Sequence, residues 1–170
     1  LKVLAWRDND QRAAIAKAGA IGPLVELLQS DSADVQDQAS HALFKLSVES
    51  NNQILIVKAG GVAPLINLLS GGSPGVREQA ARALWNLSIK SDHETLIYDA
   101  GAVAPLIDLL RSGSDGGKTA AAGALRMLAW SKDAYRETIL KVGGALPPLV
   151  DLLQNGSVDG KEQAANLLYK

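Results

Sequence analysis

The sequence predicts an all-α solenoid built from repeats of three helices, and two observations carry that expectation. The first is a phrase that recurs: Ala59–Leu69 reads AGGVAPLINLL, with copies at Ala18–Leu28, Ala100–Leu110 and, slightly stretched, Gly143–Leu153. Its prolines fall at 23, 64, 105 and 148, in steps of 41, 41 and 43 residues. A period near 40 marks stacked supersecondary units rather than a single globular core. The second is the apolar spacing of Val76, Ala80, Ala83, Leu84 and Leu87, whose steps of 4, 3, 1 and 3 are helical and cannot be a strand. The 170 residues therefore make one continuous body with a core along its length. Hydrophobic residues are 47% of the chain and aromatics only 4%, so alanine and branched aliphatics do the packing.

Taken in order, Leu1–Trp6 matches Leu125–Trp130, the end of a later helix, and reads as the tail of a partial repeat. A first helix follows from Asp8 to Lys17, with Ile15 inward and Gly19 closing it in the left-handed conformation that glycine adopts cheaply. Pro23 is expected to start the second helix, where its missing N–H costs nothing. Leu24, Leu27 and Leu28 form its i, i+3, i+4 buried stripe. Ser30-Asp31-Ser32 breaks the pattern and caps a third helix from about Ala33 to Ser47. In the next unit Gly71–Gly75 is the breaker before the third helix. The following unit repeats the plan with Glu94–Asp99, Pro105–Leu110 and Lys118–Trp130; the last has Ala134–Lys141, Pro148–Leu153 and Gly160–Lys170. The expected division is one repeat domain over 1–170: a partial repeat 1–6, repeats at about 7–47, 48–88 and 89–130, and a partial repeat 131–170. A chain opening and closing in mid-repeat is expected to be a fragment of a longer protein, with end faces able to associate head to tail.

The pattern AG-x-[VI]-x-P-L-[VI]-x-L-L followed by EQAARALWNLS, three helices per unit, resembles the armadillo repeat family over essentially the whole chain, in a plant- or protist-like array. The 34- and 33-residue periods of tetratricopeptide and ankyrin repeats do not fit, propeller blades need strands, and HEAT helix pairs lack this Gly-x-x-x-Pro junction. The resemblance implies a right-handed superhelix whose third helices line a concave groove for an extended peptide. It implies a non-catalytic protein-binding scaffold, cytoplasmic or nuclear, with no cofactor. Two alternatives share the fold: the substrate-recruiting domain of a larger enzyme such as a ubiquitin ligase, and an importin-α-like cargo receptor. In the importin-α type a third-helix Asn holds the peptide backbone and a Trp one turn earlier packs its side chains. Those Asn positions hold Lys45, Asn86, Met127 and Lys170; the Trp positions hold His41, Arg82, Gly123 and Asn166. Asn86 alone matches.

Helix geometry places Glu78, Arg82, Trp85, Asn86 and Ile89 on the side opposite Ala80, Ala83 and Leu87. Equivalent positions hold His41, Phe44, Lys45, Arg126, Met127, Trp130 and Tyr169, and Phe44, Trp85, Arg126 and Tyr169 make one row, one residue per repeat. Aromatic and arginine side chains dominate binding hot spots, so the candidate peptide-binding residues are His41, Phe44, Lys45, Arg82, Trp85, Asn86, Arg126, Met127, Trp130 and Tyr169. The alternative is that Phe44 and Trp85 pack against the next repeat's third helix.

Lys and Arg number 17 against 18 Asp and Glu, a net charge of −1 that supplies no electrostatic footprint for nucleic acid or an anionic membrane. No apolar run approaches the roughly 18 residues of a membrane span. The chain has no cysteine, and its two histidines, His41 and His93, lie in different units, so no metal site assembles at short range. Gly113–Thr119 (GSDGGKT) invites comparison with a phosphate loop, but the spacing is wrong and the segment follows a helix. Asn86-Leu87-Ser88 and Asn155-Gly156-Ser157 match the glycosylation pattern with no secretory signal in view.

Overall fold

The computed structural model describes residues 9–142 and 144–169, with no side-chain detail at Val142. Twelve α-helices and one π-helical turn make up the described chain. The first repeat comprises α1 (Asn9–Lys17), α2 (Ile21–Leu27) and α3 (Ala33–Leu46). The second comprises α4 (Ser50–Lys58), α5 (Val62–Gly71) and α6 (Pro74–Leu87). The third comprises α7 (Ser91–Asp99), α8 (Val103–Ser112) and α9 (Asp115–Leu128). The last comprises α10 (Asp133–Glu137) running into the π turn Thr138–Val142, then α11 (Leu146–Asn155) and α12 (Val158–Tyr169).

Each first helix ends at a glycine with positive φ: Gly19 (83°), Gly60 (76°), Gly101 (85°) and Gly144 (66°). The proline four residues further on does not start the second helix. Helix α2 begins at Ile21, and its first intrahelical bond runs from the Leu24 N–H to the Ala20 carbonyl at 3.1 Å. Pro23 thus takes the last position whose N–H has no helical acceptor; Pro64, Pro105 and Pro148 repeat this before Leu65, Leu106 and Leu149. Proline is tolerated over the whole unpaired first turn, so the helices start earlier than a first-position rule suggests. The stripe on α2 also differs: Ile21, Val25 and Leu28 are buried, while Leu27 is 44% exposed. Its equivalents Leu68, Leu109 and Leu152 are buried.

Third helices pack side by side in the order α3, α6, α9, α12 and form the spine of the solenoid. Val76, Ala80, Ala83, Leu84 and Leu87 are all fully buried, as are Leu43, Leu46, Leu125 and Leu128 at matching positions. Alanine at the contacts lets the backbones approach; each buried leucine contributes about 1.5–3 kcal/mol. Serines 32, 73 and 114 cap α3, α6 and α9, accepting from the N–H groups of Val35, Val76 and Gly117. Helix α9 therefore starts at Asp115, three residues before its expected start, with Gly116 and Gly117 in its first turn.

Side chains of α4 and α7 close the preceding third helices. Asn52 Nδ2 donates to the Leu46 carbonyl at 3.1 Å, and His93 Nδ1, one period on, lies 3.3 Å from the Leu87 carbonyl. A carbonyl only accepts, which fixes the proton on Nδ1 of His93. Gln53 Nε2 adds a bond to the Ser47 carbonyl at 3.0 Å. These orphan carbonyls are otherwise the weak end of a helix.

The 43-residue step has a structural location. Two residues, Ser88 and Ile89, separate α6 from the Lys90 cap of α7, but three, Ala129, Trp130 and Ser131, separate α9 from the Lys132 cap of α10. The second extra residue is absorbed by the π turn, since residues 133–142 replace the nine of Ser91–Asp99. A π turn is what one inserted residue makes when flanking packing fixes both helix ends. Among the described residues no single helix is long and apolar enough to cross a membrane.

Candidate functional site

The third-helix face is built by a register that repeats from one junction to the next. At the first two junctions the residue at the row position reaches forward to the position three residues earlier in the next repeat's third helix, whereas Arg126 reaches one turn further back. The indole of Trp85 lies flat over Gly123: a Cβ there would meet three of its ring carbons at 2.5–2.6 Å. One junction earlier, Phe44 meets Arg82, whose guanidinium carbon is 5.7 Å from the ring centroid. Lys45 Nζ approaches the same ring at 5.1 Å, and the His41 ring meets it edge-on at 6.4 Å. One junction later, Arg126 Nε donates to Oε1 of the buried Gln163 at 2.9 Å. Phe44 and Trp85 are half-buried, so their packing against the next third helix is real and part of each ring still faces solvent.

Asn86 is committed as well. Its Nδ2 donates to Ser47 Oγ at 2.9 Å across the junction, and Ser47 Oγ donates to the Phe44 carbonyl at 2.7 Å. The Asn86 Oδ1 remains on the half-exposed surface. Arg82 pairs with Glu78 one turn away, at 3.1 Å from Nε and 3.0 Å from Nη2. Glu78 also accepts from Ser114 Oγ at 2.9 Å and rests on Gly116, where a Cβ would strike its carboxylate. The glycine-lysine stretch that suggested a phosphate loop is thus a helix start whose positive end already faces a carboxylate. Glu78 was expected only as a member of the exposed face; its clasp on the next repeat was not legible.

The ends of the third helices carry the most exposed apolar side chains of this face. Val48, Ile89 and Trp130 occupy equivalent positions and are 51%, 62% and 55% exposed. Ile89, Met127, Trp130 and Arg126 surround a cavity of about 180 Å³ between α6 and α9, closed below by Ser88, Ser91, Glu94 and Ser131. Glu94 is 2% exposed and accepts from Ser131 Oγ, in the lengthened turn, at 2.7 Å. Arg126, Trp130 and Asn166 also border a smaller hollow between α9 and α12, with Arg136 and Leu167. Partial burial lowers the Arg126 pKa and Glu162 opposes that shift; an arginine keeps its charge through such a change. Tyr169, at the end of α12, is 93% exposed. The structure therefore joins Phe44 to His41, Lys45 and Arg82, and Arg126 to Met127 and Trp130, while Tyr169 stands apart. Lys170, the last residue at the Asn position, lies outside the described residues.

Sequence reasoning placed Ile89 on this face without making it a binding candidate, named Gly123 only as the occupant of a Trp position, and missed Glu94. The signal for Gly123 was present: a glycine inside a helical, alanine-rich run marks a close approach, and Trp85 stands at the offset that the register requires.

The Armadillo/beta-catenin-like repeat family model matches residues 8–48, 50–89 and 91–130. No curated protein matches the chain. Among solved structures, computationally designed armadillo repeat proteins for modular peptide recognition are 28% identical at a TM-score of 0.88, covering 97% of this chain and 70% of theirs. An engineered protein is 33% identical at a TM-score of 0.87, over 97% of this chain and 67% of its own. A designed armadillo repeat protein in complex with the peptide (KR)4 is 27% identical at a TM-score of 0.84, over 98% of this chain and 70% of its own.

Proposed function

The chain belongs to the armadillo/β-catenin-like repeat family, and from that premise we propose that its third-helix face binds an extended segment of a partner protein without catalysing a reaction. The observation that carries this reading is the series of cross-junction contacts Phe44–Arg82, Trp85–Gly123 and Arg126–Gln163, flanked by exposed Val48, Ile89 and Trp130. An evenly spaced row of aromatic and cationic groups suits a chain in extended conformation, which presents side chains at a regular rise. Structural neighbours described as built for peptide recognition, one holding (KR)4, support the same mode of use.

Because Trp85 and Asn86 also hold repeats together, replacing them would mix folding with binding. Ile89 and Trp130 separate the two. Peptides selected on the whole chain from a random dodecapeptide display library should lose about tenfold or more in affinity, roughly 1.4 kcal/mol, with Ile89→Ser plus Trp130→Ala. Glu26→Ala and Asp108→Ala, exposed on second helices, should leave affinity unchanged. Binding indifferent to the first pair would place the site elsewhere.

A further inference from the structure

We propose that the partner segment is acidic and apolar, with a large apolar side chain seated in the Ile89–Met127–Trp130 cavity and a carboxylate beside it on Arg126. The proposal rests on the third-helix reading above and deepens it by naming the chemistry of the ligand.

The charge of the strip is the first argument. Along the C-terminal halves of α3, α6 and α9 the charged side chains open to solvent are cationic, Lys45 and Arg126. Apart from the exposed Glu162 near Arg126, two carboxylates that border this strip are already engaged. Glu49 pairs with Arg12 Nη2 at 3.0 Å, and Glu94 lies beneath the surface, bonded to Ser131. At the N-terminal ends of the same helices Glu78 is taken by Arg82 and Ser114. A lysine- or arginine-rich segment would set its cations against Lys45 and Arg126, where the exposed Glu162 of α12 only partly offsets the positive charge. Such like-charge juxtaposition is a strong discriminator between partners.

The second argument is the preparation of Arg126. Gln163 is itself buried and fixes Nε, which holds the plane of the guanidinium and leaves its two terminal nitrogens with no hydrogen-bond partner among the described residues. That fork matches a carboxylate in bidentate geometry. The third is the adjoining cavity. Its volume of about 180 Å³ exceeds the about 150 Å³ void that accepts a benzene ring in another protein. Its walls of isoleucine, methionine and tryptophan suit a leucine or phenylalanine side chain. An arginine and an apolar cavity side by side call for an apolar residue next to an acidic one.

The test is the composition of peptides selected from the random library on the whole chain, followed by anisotropy titration of individual fluorescein-labelled peptides. Enriched peptides should be net acidic with at least one large apolar residue, and (KR)4 should bind weakly or not at all. Arg126→Gln and Lys45→Gln should each weaken the acidic peptides severalfold while Asp108→Asn does not, and added salt should weaken them further. Lys45 is partly exposed and outside any ion pair among the described residues, so its variant remains informative if Arg126→Gln perturbs the fold. Enrichment of basic peptides whose binding falls with Ile89→Ser plus Trp130→Ala would overturn the acidic assignment and leave the groove reading standing. Peptides insensitive to every third-helix substitution, or no enrichment at all, would overturn both.

Discussion

At the α6–α9 junction an indole lies flat on a glycine, whereas at the α3–α6 junction the equivalent phenylalanine ring meets a guanidinium. The buried halves of the two junctions are nearly the same. Ala39, Ala42, Leu43 and Leu46 on α3 correspond to Ala80, Ala83, Leu84 and Leu87 on α6, and to Ala121, Ala124, Leu125 and Leu128 on α9. With the register fixed by those residues, one receiving position decides what the row residue becomes. Gly123 turns Trp85 into a lid that seals the spine; Arg82 keeps Phe44 as half of a cationic, aromatic surface. A repeat array can thus vary its binding face one residue at a time without disturbing its core.

The largest expected effect tests the lid. Trp85→Ala removes a half-buried indole and should cost about 2–3 kcal/mol, below the 3–5 of a fully buried ring. Gly123→Ala sets two terms against each other. Alanine gains up to about 1 kcal/mol in a helix interior, but overpacking costs about 1–3 kcal/mol. A Cβ at 2.5 Å from a flat ring cannot be absorbed by a small shift, so the net change should be destabilising. In the Trp85→Ala background the same substitution should become neutral or stabilising. Urea denaturation of the four proteins measures the cycle. Equal stabilisation by Gly123→Ala in both backgrounds would mean that the indole does not lie on that glycine.

A smaller effect is expected at a hydroxyl within the α3–α6 junction. Ser47 is fully buried, accepts from Asn86 and donates to the Phe44 carbonyl. Ser47→Ala leaves the Asn86 amide without its buried acceptor and should cost about 1–2 kcal/mol. Its coupling to Asn86→Ala, read from thermal melts as a double-mutant cycle, should be about 0.5–1.5 kcal/mol. Strict additivity would show that the two side chains do not depend on each other.

Much of this was legible before any coordinates. The period, the three-helix unit, the spine residues Val76 through Leu87 and the closing glycines follow from spacing and backbone freedom alone. Pro23 was placed at a first helical position because any of the first three accepts it, and sequence does not choose among them. Leu27 was read as buried because it falls on the i, i+3, i+4 stripe with Leu24 and Leu28; only the neighbours of α2 decide that. The inserted residue behind the π turn showed only in the 43-residue step and not in its place, since Tyr135 to Lys141 scans as ordinary helix. In the candidate site, Phe44, Lys45, Arg82, Trp85, Asn86, Arg126, Met127 and Trp130 were placed on one face by periodicity. Their partners Gly123, Gln163 and Ser47 come from the adjacent repeat, and helix periodicity says nothing about contacts across a junction.

The smallest effect concerns Arg82, and it asks whether the α3–α6 junction is held by its ion pair or by its ring. Arg82→Gln removes both the Glu78 pair at 3.0 Å and the contact with Phe44. The pair is partly exposed on both sides and one turn apart on a helix, a setting worth about 0.3–0.5 kcal/mol. The cation–ring contact should contribute about 0.5–1 kcal/mol at such a site. Glu78 keeps its bond from Ser114 after the substitution, so no carboxylate is stranded. The total loss should therefore stay near 1 kcal/mol or below. Salt divides the two parts, because solvent-exposed pairs are screened within about 10 Å at 0.1 M ionic strength. Denaturation at low and high salt should show the penalty of Arg82→Gln shrinking by less than half, with the remainder vanishing in a Phe44→Leu background. If high salt removes the whole penalty, Arg82 serves Glu78 alone and the ring of Phe44 stands open to a ligand.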